Sequence, residues 1–172
     1  VIDVNTGKVT KTYEIEGAEF LNDITVDEKG NVYISDSATG KIHRLSGNKV
    51  GMYFQSPDFK RVNGLLALKN SLYIADAGNG INYKLSIEKE LTKFTETAPG
   101  ADGVVQVEEN LFIVSSWGGE VYYVDASAKA QKLLDTKEQK LNSADVDYDS
   151  KSRTLFVPTF FGNKVMAYTF EK

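Results

Sequence analysis

Asn22-Asp23-Ile24-Thr25-Val26-Asp27-Glu28-Lys29-Gly30-Asn31-Val32-Tyr33-Ile34-Ser35-Asp36, followed by Gly40 and Lys41-Ile42-His43-Arg44-Leu45, is the stretch that decides the fold. Its landmarks return from Asn63, from Asp102 and from Asn142. The aromatic of the second apolar run is Tyr33, Tyr73, Phe112 and Phe156, at spacings of 40, 39 and 44 residues. The glycine of the loop that follows is Gly40, Gly80, Gly119 and Gly162, at spacings of 40, 39 and 43. A period of this size marks a repeat architecture. Function is therefore sought at equivalent positions, where one copy departs from another.

Each copy resolves into short alternating runs. In the first full copy these are 24–26, 32–35, 41–45 and 50–54, separated by segments rich in Gly, Asn, Asp and Ser that make tight turns. The second copy repeats them at 65–68, 72–75, 81–85 and 91–94, and the third at 104–107, 111–115, 120–124 and 131–134. No run of ten or more residues carries a helical period. Four meandering strands per repeat predict an all-β chain built from β-propeller blades. A stacked solenoid is the alternative, but its repeat would normally be shorter or helical.

The ends follow the same register. Residues 1–17 match the third and fourth strands of a blade, 18–60, 61–99 and 100–139 are full blades, and 140–172 is a last blade without its outer strand. A propeller closes on itself because open sheet edges are a liability. The chain therefore reads as the C-terminal four to five blades of a single propeller domain, most simply six-bladed. Its N-terminal part would lie upstream and would be needed for closure.

Composition narrows the partners. With 41% hydrophobic and 26% charged residues the chain suits a soluble globular protein. A net charge of −4 with both signs interspersed offers no basic face, so no nucleic-acid partner is expected. No apolar run approaches the ~20 residues that span a bilayer. No basic-then-apolar leader stands at Val1, and the lack of Cys fits either side of a bacterial membrane, periplasmic or secreted settings included.

In a blade the first strand lines the central channel, and the loop between strands two and three returns to the same face. Asn22, Asp23, Asn63, Asp102 and Asp145 thus converge on one channel mouth, with Asn142 just outside the register. Oxygens gathered this way suit a hard cation such as calcium. The plain alternative is that Asn-Asp, Asn-Gly and Asp-Gly are turn pairs, chosen for local hydrogen bonding and tolerance of positive φ. The second loops ring the same mouth with Asp36, Asp76, Trp117 and the pair Phe160-Phe161. Trp117 would wall a pocket, and Asp36 and Asp76 would face a substrate. The acidic stretch Asp145–Asp149 otherwise reads as a solvated strand edge. The one histidine, His43, falls in a third strand, so neither a catalytic His nor a multi-His metal site is expected.

Leu21-Asn22-Asp23, Val62-Asn63-Gly64 and Ala101-Asp102-Gly103, one blade apart, resemble the SMP-30/gluconolactonase/luciferin-regenerating family. The ending from Ala144-Asp145-Val146 to Val157-Pro158-Thr159-Phe160-Phe161 resembles a bacterial branch of it. NHL-type propellers share the strand pattern but not that polar series. The resemblance implies a six-bladed propeller with a calcium or other divalent ion at the channel. It implies Asn63 and Asp102 as metal ligands, Asp102 as general base for lactone hydrolysis, and Asn22 in contact with substrate. A further Glu ligand would lie upstream of Val1. Sugar lactonases of the family carry an Arg two residues before the Asn of Asn-Asp. Phe20-Leu21 precede Asn22 here, which points to a more apolar lactone or ester. A non-catalytic propeller binding a small molecule, peptide or protein at the same face is the competing reading.

Overall fold

The structure, a computed structural model, describes residues 1–170. Three four-stranded antiparallel sheets follow one another: β1 (Leu21–Val26) to β4 (Lys49–Gln55), β5 (Val62–Leu68) to β8 (Leu91–Glu96), and β9 (Ala101–Glu108) to β12 (Ala130–Asp135). A three-stranded sheet of β13 (Asp147–Asp149), β14 (Thr154–Pro158) and β15 (Val165–Thr169) completes the series, with a 3-10 turn at Phe160–Gly162 between its last two strands. Within every sheet the strands lie in chain order, as a meander should. No α-helix occurs among the described residues, and none is long and apolar enough to cross a membrane. The two segments assigned to strands of a preceding blade meet in one antiparallel bridge, Ile2 with Val9.

Successive sheets stack through their first strands, β1 against β5, β5 against β9, and β9 against β13. The core is correspondingly divided into layers between neighbouring sheets. Ile42, Val62 and Leu85 belong to the layer between the first two sheets, and Ile113, Val121 and Val157 to the layer between the last two. In the middle layer Tyr73 and Phe112 stack at 4.6 Å, and Phe94 sits edge-on to both at 4.9 and 5.0 Å. The periodic aromatic thus packs the second sheet onto the third. Phe156 in the last sheet remains partly exposed.

One polar position ties each of the first three sheets to the segment entering it. Asp36 accepts the backbone N–H groups of Glu19 and Phe20, and Asp76 those of Lys60, Arg61 and Gly78, all at 2.8–3.1 Å. In the third sheet the entering segment carries Pro99, which has no N–H. The equivalent residue is Ser116, whose hydroxyl donates to the Pro99 carbonyl at 2.9 Å. Asp36 and Asp76 are fully buried. Thr39 and the backbone N–H groups hold the Asp36 carboxyl far below its usual range despite burial. Both aspartates, expected from sequence to face a substrate, are instead withdrawn from the mouth, because a buried carboxylate must spend its lone pairs on nearby donors.

Candidate functional site

The mouth residues sit on a register fault that recurs in every full sheet. On β1, pairing with β2 jumps from Leu21–Asp36 to Ile24–Ile34. On β5 it jumps from Val62–Asp76 to Leu65–Ile74, and on β9 from Ala101–Ser116 to Val104–Val114. Each jump places two residues of the first strand opposite one of the second, which is a β-bulge and re-aims the side chains it carries. The bulged pairs are Asn22-Asp23, Asn63-Gly64 and Asp102-Gly103. They are therefore not turns, and each first strand begins three residues before the alternating pattern suggests.

Serine hydroxyls hold two of these bulges. Ser35 Oγ accepts the Asp23 N–H at 2.9 Å, and Ser115 Oγ accepts the Gly103 N–H at 2.8 Å while donating to the Ala144 carbonyl at 2.9 Å. These serines escaped the sequence reading. Their recurrence near the end of the second strand was the available signal.

The glycines allow the first strands to converge. A Cβ on Gly64 would lie 1.8 Å from the Asp102 carbonyl oxygen, and one on Gly103 would lie 2.8 Å from Asp145 Oδ1. The bulges on β5 and β9 therefore touch through backbone, and the Asp145 carboxylate stands directly over Gly103.

Asp23 links two sheets. Its Oδ2 accepts the Leu65 N–H at 2.6 Å and its Oδ1 the Ile24 N–H at 2.7 Å. Burial nonetheless pushes its pKa up, against those two bonds. Asn63 Nδ2 donates to Asp102 Oδ1 at 2.7 Å, while Asn63 Oδ1 is buried and finds no partner among the described residues. Asp102 is 8% exposed. Burial raises its pKa to about 6, opposed by the Asn63 amide and reinforced by the Asp23 charge. Asp145 is pushed up to about 7 by burial of its carboxyl and by the charges of Asp23 and Asp102. Its residue keeps an exposed edge, so water relieves part of that pressure. Asn22 is exposed and donates from Nδ2 to Ser37 Oγ at 3.1 Å. Asn142 points elsewhere, its Nδ2 donating to the Trp117 carbonyl at 2.9 Å.

Asp23, Asn63, Asp102 and Asp145 are thus one neighbourhood, with oxygen donors and an excess of negative charge, while the Asn22 amide turns to Ser37. Among the described residues no three carboxylate or imidazole side chains close to metal-binding distance. The orphaned Asn63 amide oxygen beside Asp102 supplies a further oxygen donor. An all-oxygen set containing one neutral amide fits a hard divalent cation.

The raised pKa values make a stability prediction for chelator-treated protein. The folded pKa of Asp102, about 6, exceeds its ordinary 3.8, so the folded state binds that proton more tightly than the unfolded state. Stability is then greatest near pH 4 and falls as pH rises through 6, with Asp145 extending the decline towards 7. The Asp102 contribution is on the order of 2–3 kcal/mol. Denaturation at pH 4.5 and 7.5 checks it, and a curve rising over that window would refute it.

Outside the mouth, His43 Nε2 is also buried without a hydrogen-bond partner among the described residues. His43 is buried in β3, with Nε2 3.6 Å from Asp36 Oδ2 and away from the mouth. An open cleft of about 600 Å³ at the other end of the first sheet is lined by Tyr33, Arg44, Tyr53 and Lys89. There Arg44 and Lys89 each lie 5.0 Å from the Tyr53 ring centre, where the ring face partly satisfies both charges.

Solved structures share this architecture. A virginiamycin B lyase from Staphylococcus aureus, a catalytically inactive variant with quinupristin, aligns at TM-score 0.72 and 12% identity over 99% of this chain and 62% of its own. The fold is a β-propeller. A gluconolactonase from Xanthomonas campestris aligns at 0.73 and 16% identity, over 92% of this propeller and 61% of its own chain. An auxiliary nutrient binding protein from Bacteroides thetaiotaomicron aligns at 0.73 and 15% identity, over 90% and 39%. The propeller described here therefore spans less than two thirds of the length of each. No protein-family model matches the sequence, and no curated protein matches it.

Proposed function

We propose that the mouth belongs to a six-bladed propeller hydrolase that opens a lactone or ester with the help of calcium or another divalent cation. The observation that carries this reading is Asp102, a buried carboxylate with pKa about 6, held by an Asn63 amide whose own oxygen lacks a partner. Likeness to a gluconolactonase supports it at the level of fold.

Near neutral pH Asp102 is mostly ionised yet still basic enough to take a proton, the range in which a general base works best. It would accept the proton of the attacking water, with Asn63 fixing one carboxylate oxygen and leaving the other free. Asn63 and Asp102 would hold the cation, with the Asp145 carboxyl beside them. A bound cation polarises the substrate carbonyl and acidifies bound water. Asn22, exposed on the rim, would hydrogen-bond the substrate. The proton that Asp102 gains can then pass to the departing ester oxygen. The lyase relative loses its activity in a variant with alanine in place of a histidine.

Calcium titration of the full chain, followed by thermal unfolding and a lactone and ester screen, tests the reading. At a hundred times the dissociation constant, binding adds about 2.7 kcal/mol to the stability of wild type. That corresponds to a rise in Tm of roughly 5–10 °C. The rise should vanish in Asp102→Asn. No rise in either protein, with no turnover, leaves a non-catalytic propeller that binds a small molecule, peptide or protein at this face.

A further inference from the structure

We infer that Trp117, Phe160 and Phe161 form an aromatic clamp for the apolar group of the substrate, so that the site selects alkyl-substituted lactones or esters over polyhydroxylated ones. This rests on the hydrolytic reading for its chemistry, but the clamp is visible without it. The three rings contact one another edge-on, with centroids 5.9 Å apart from Trp117 to either Phe and 4.8 Å apart between the two Phe. They belong to none of the packed layers between the described sheets. Trp117 is 40% exposed, Phe160 58% and Phe161 72%. A contiguous apolar patch left in water marks a binding site more often than chance.

The roots of both loops place the cluster beside the segments that carry Asp102 and Asp145. Trp117 follows Ser116, which pairs with Ala101 next to Asp102, and the Trp117 N–H donates to the Gly100 carbonyl at 2.7 Å. Phe160 lies two residues beyond Pro158, whose carbonyl accepts the N–H of Ala144, next to Asp145. The corresponding loops of the first two sheets carry Ser37-Ala38-Thr39 and Ala77-Gly78-Asn79, with no aromatic. The aromatic wall is therefore confined to the last two sheets, while Asn22 stands on the first. Phe160 also adopts φ 46, a left-handed backbone that bulky residues avoid. The turn accepts that strain while presenting two rings to solvent.

A chain-length series of γ-alkyl lactones, assayed with calcium present, tests the clamp. Each added methylene that reaches the rings should raise kcat/KM about twofold to fourfold. Trp117→Ala and Phe161→Ala should flatten that dependence towards a factor of one, and Trp117→Phe should restore most of it. A merely structural loss would lower all lactones alike and leave the slope unchanged. Trp117 is the one tryptophan, so its fluorescence reports binding without turnover. Asp102→Asn should lose turnover and keep the fluorescence response. Fluorescence that responds to long-chain lactones without hydrolysis upholds the clamp and refutes the hydrolase. Hydrolysis with a flat chain-length profile and silent fluorescence refutes the clamp and leaves the hydrolase standing. Silence in both refutes both.

Discussion

Gly64→Ala is expected to destabilise the protein by about 3 kcal/mol or more, at the upper end for overpacking. The new Cβ would stand 1.8 Å from the Asp102 carbonyl oxygen, 2.9 Å from its carbonyl carbon and 3.1 Å from the Gly103 Cα. All three obstacles are backbone of the neighbouring first strand, so no side-chain rotation relieves them. Either β5 and β9 move apart, exposing the layer between the second and third sheets, or the bulge at Asn63-Gly64 is lost. Both outcomes misplace Asp102 as well, so binding at the mouth should fall along with stability. Urea denaturation measures the loss, and Gly51→Ala supplies the control. Gly51 lies in β4 with nothing within 4 Å of its ideal Cβ, so that change should be nearly neutral. A loss below 1 kcal/mol at Gly64 would show that the two bulges do not touch as described.

Asp102→Asn is expected to lower lactone or ester turnover by a factor of about 10²–10⁴, the usual worth of a positioned general base. The substitution keeps the shape of the side chain and removes both the basic oxygen and the negative charge. Folding should not suffer, because a neutral group at this position no longer feels the desolvation and the Asp23 charge that raise the Asp102 pKa. In chelator-treated protein it should even stabilise at pH 7.5, where the native carboxylate is ionised against those forces. The pH profile separates catalysis from structure. In wild type with cation bound the acid limb of kcat/KM should turn below pH 6, since a bound positive charge favours the carboxylate. Full activity in Asp102→Asn, beside lost activity in Asp145→Asn, would transfer the base to Asp145.

Much of the architecture was legible in residue order, for reasons that are local. Alternation with period two marks strands, and Gly, Asn and Asp between them mark tight turns. Repetition of both at a fixed spacing allows little besides a meander of like sheets. That Asp23, Asn63, Asp102 and Asp145 lie close together was legible too, because equivalent positions of equivalent sheets face the same axis. The resemblance carried by Asn63-Gly64 and Asp102-Gly103 added the roles proposed for those positions.

Asp36 and Asp76 show where the reading of residue order fails. In sequence they look like two more mouth carboxylates, the same residue at the same register of adjacent copies. Their partners are backbone N–H groups some sixteen residues upstream, supplied by the segments entering the sheets. No side-chain identity announces such donors, since any residue but proline offers one. Only the substitution to Ser116, opposite Pro99, encoded the bond in the letters.

What the sequence alone determined is the repeat, the sheet order and the ring of polar residues, since these follow from short-range periodicity and from equivalence between copies. The tertiary structure decided which of those residues titrate, which are orphaned and which serve only as ties. The bulges that aim Asn63 and Asp102, the close approach at Gly64, the exposed cluster at Trp117 and the raised pKa of Asp102 all arise between strands far apart in the chain. Burial and Coulomb interactions depend on distance in space, and residue order fixes that distance only after the sheets have packed.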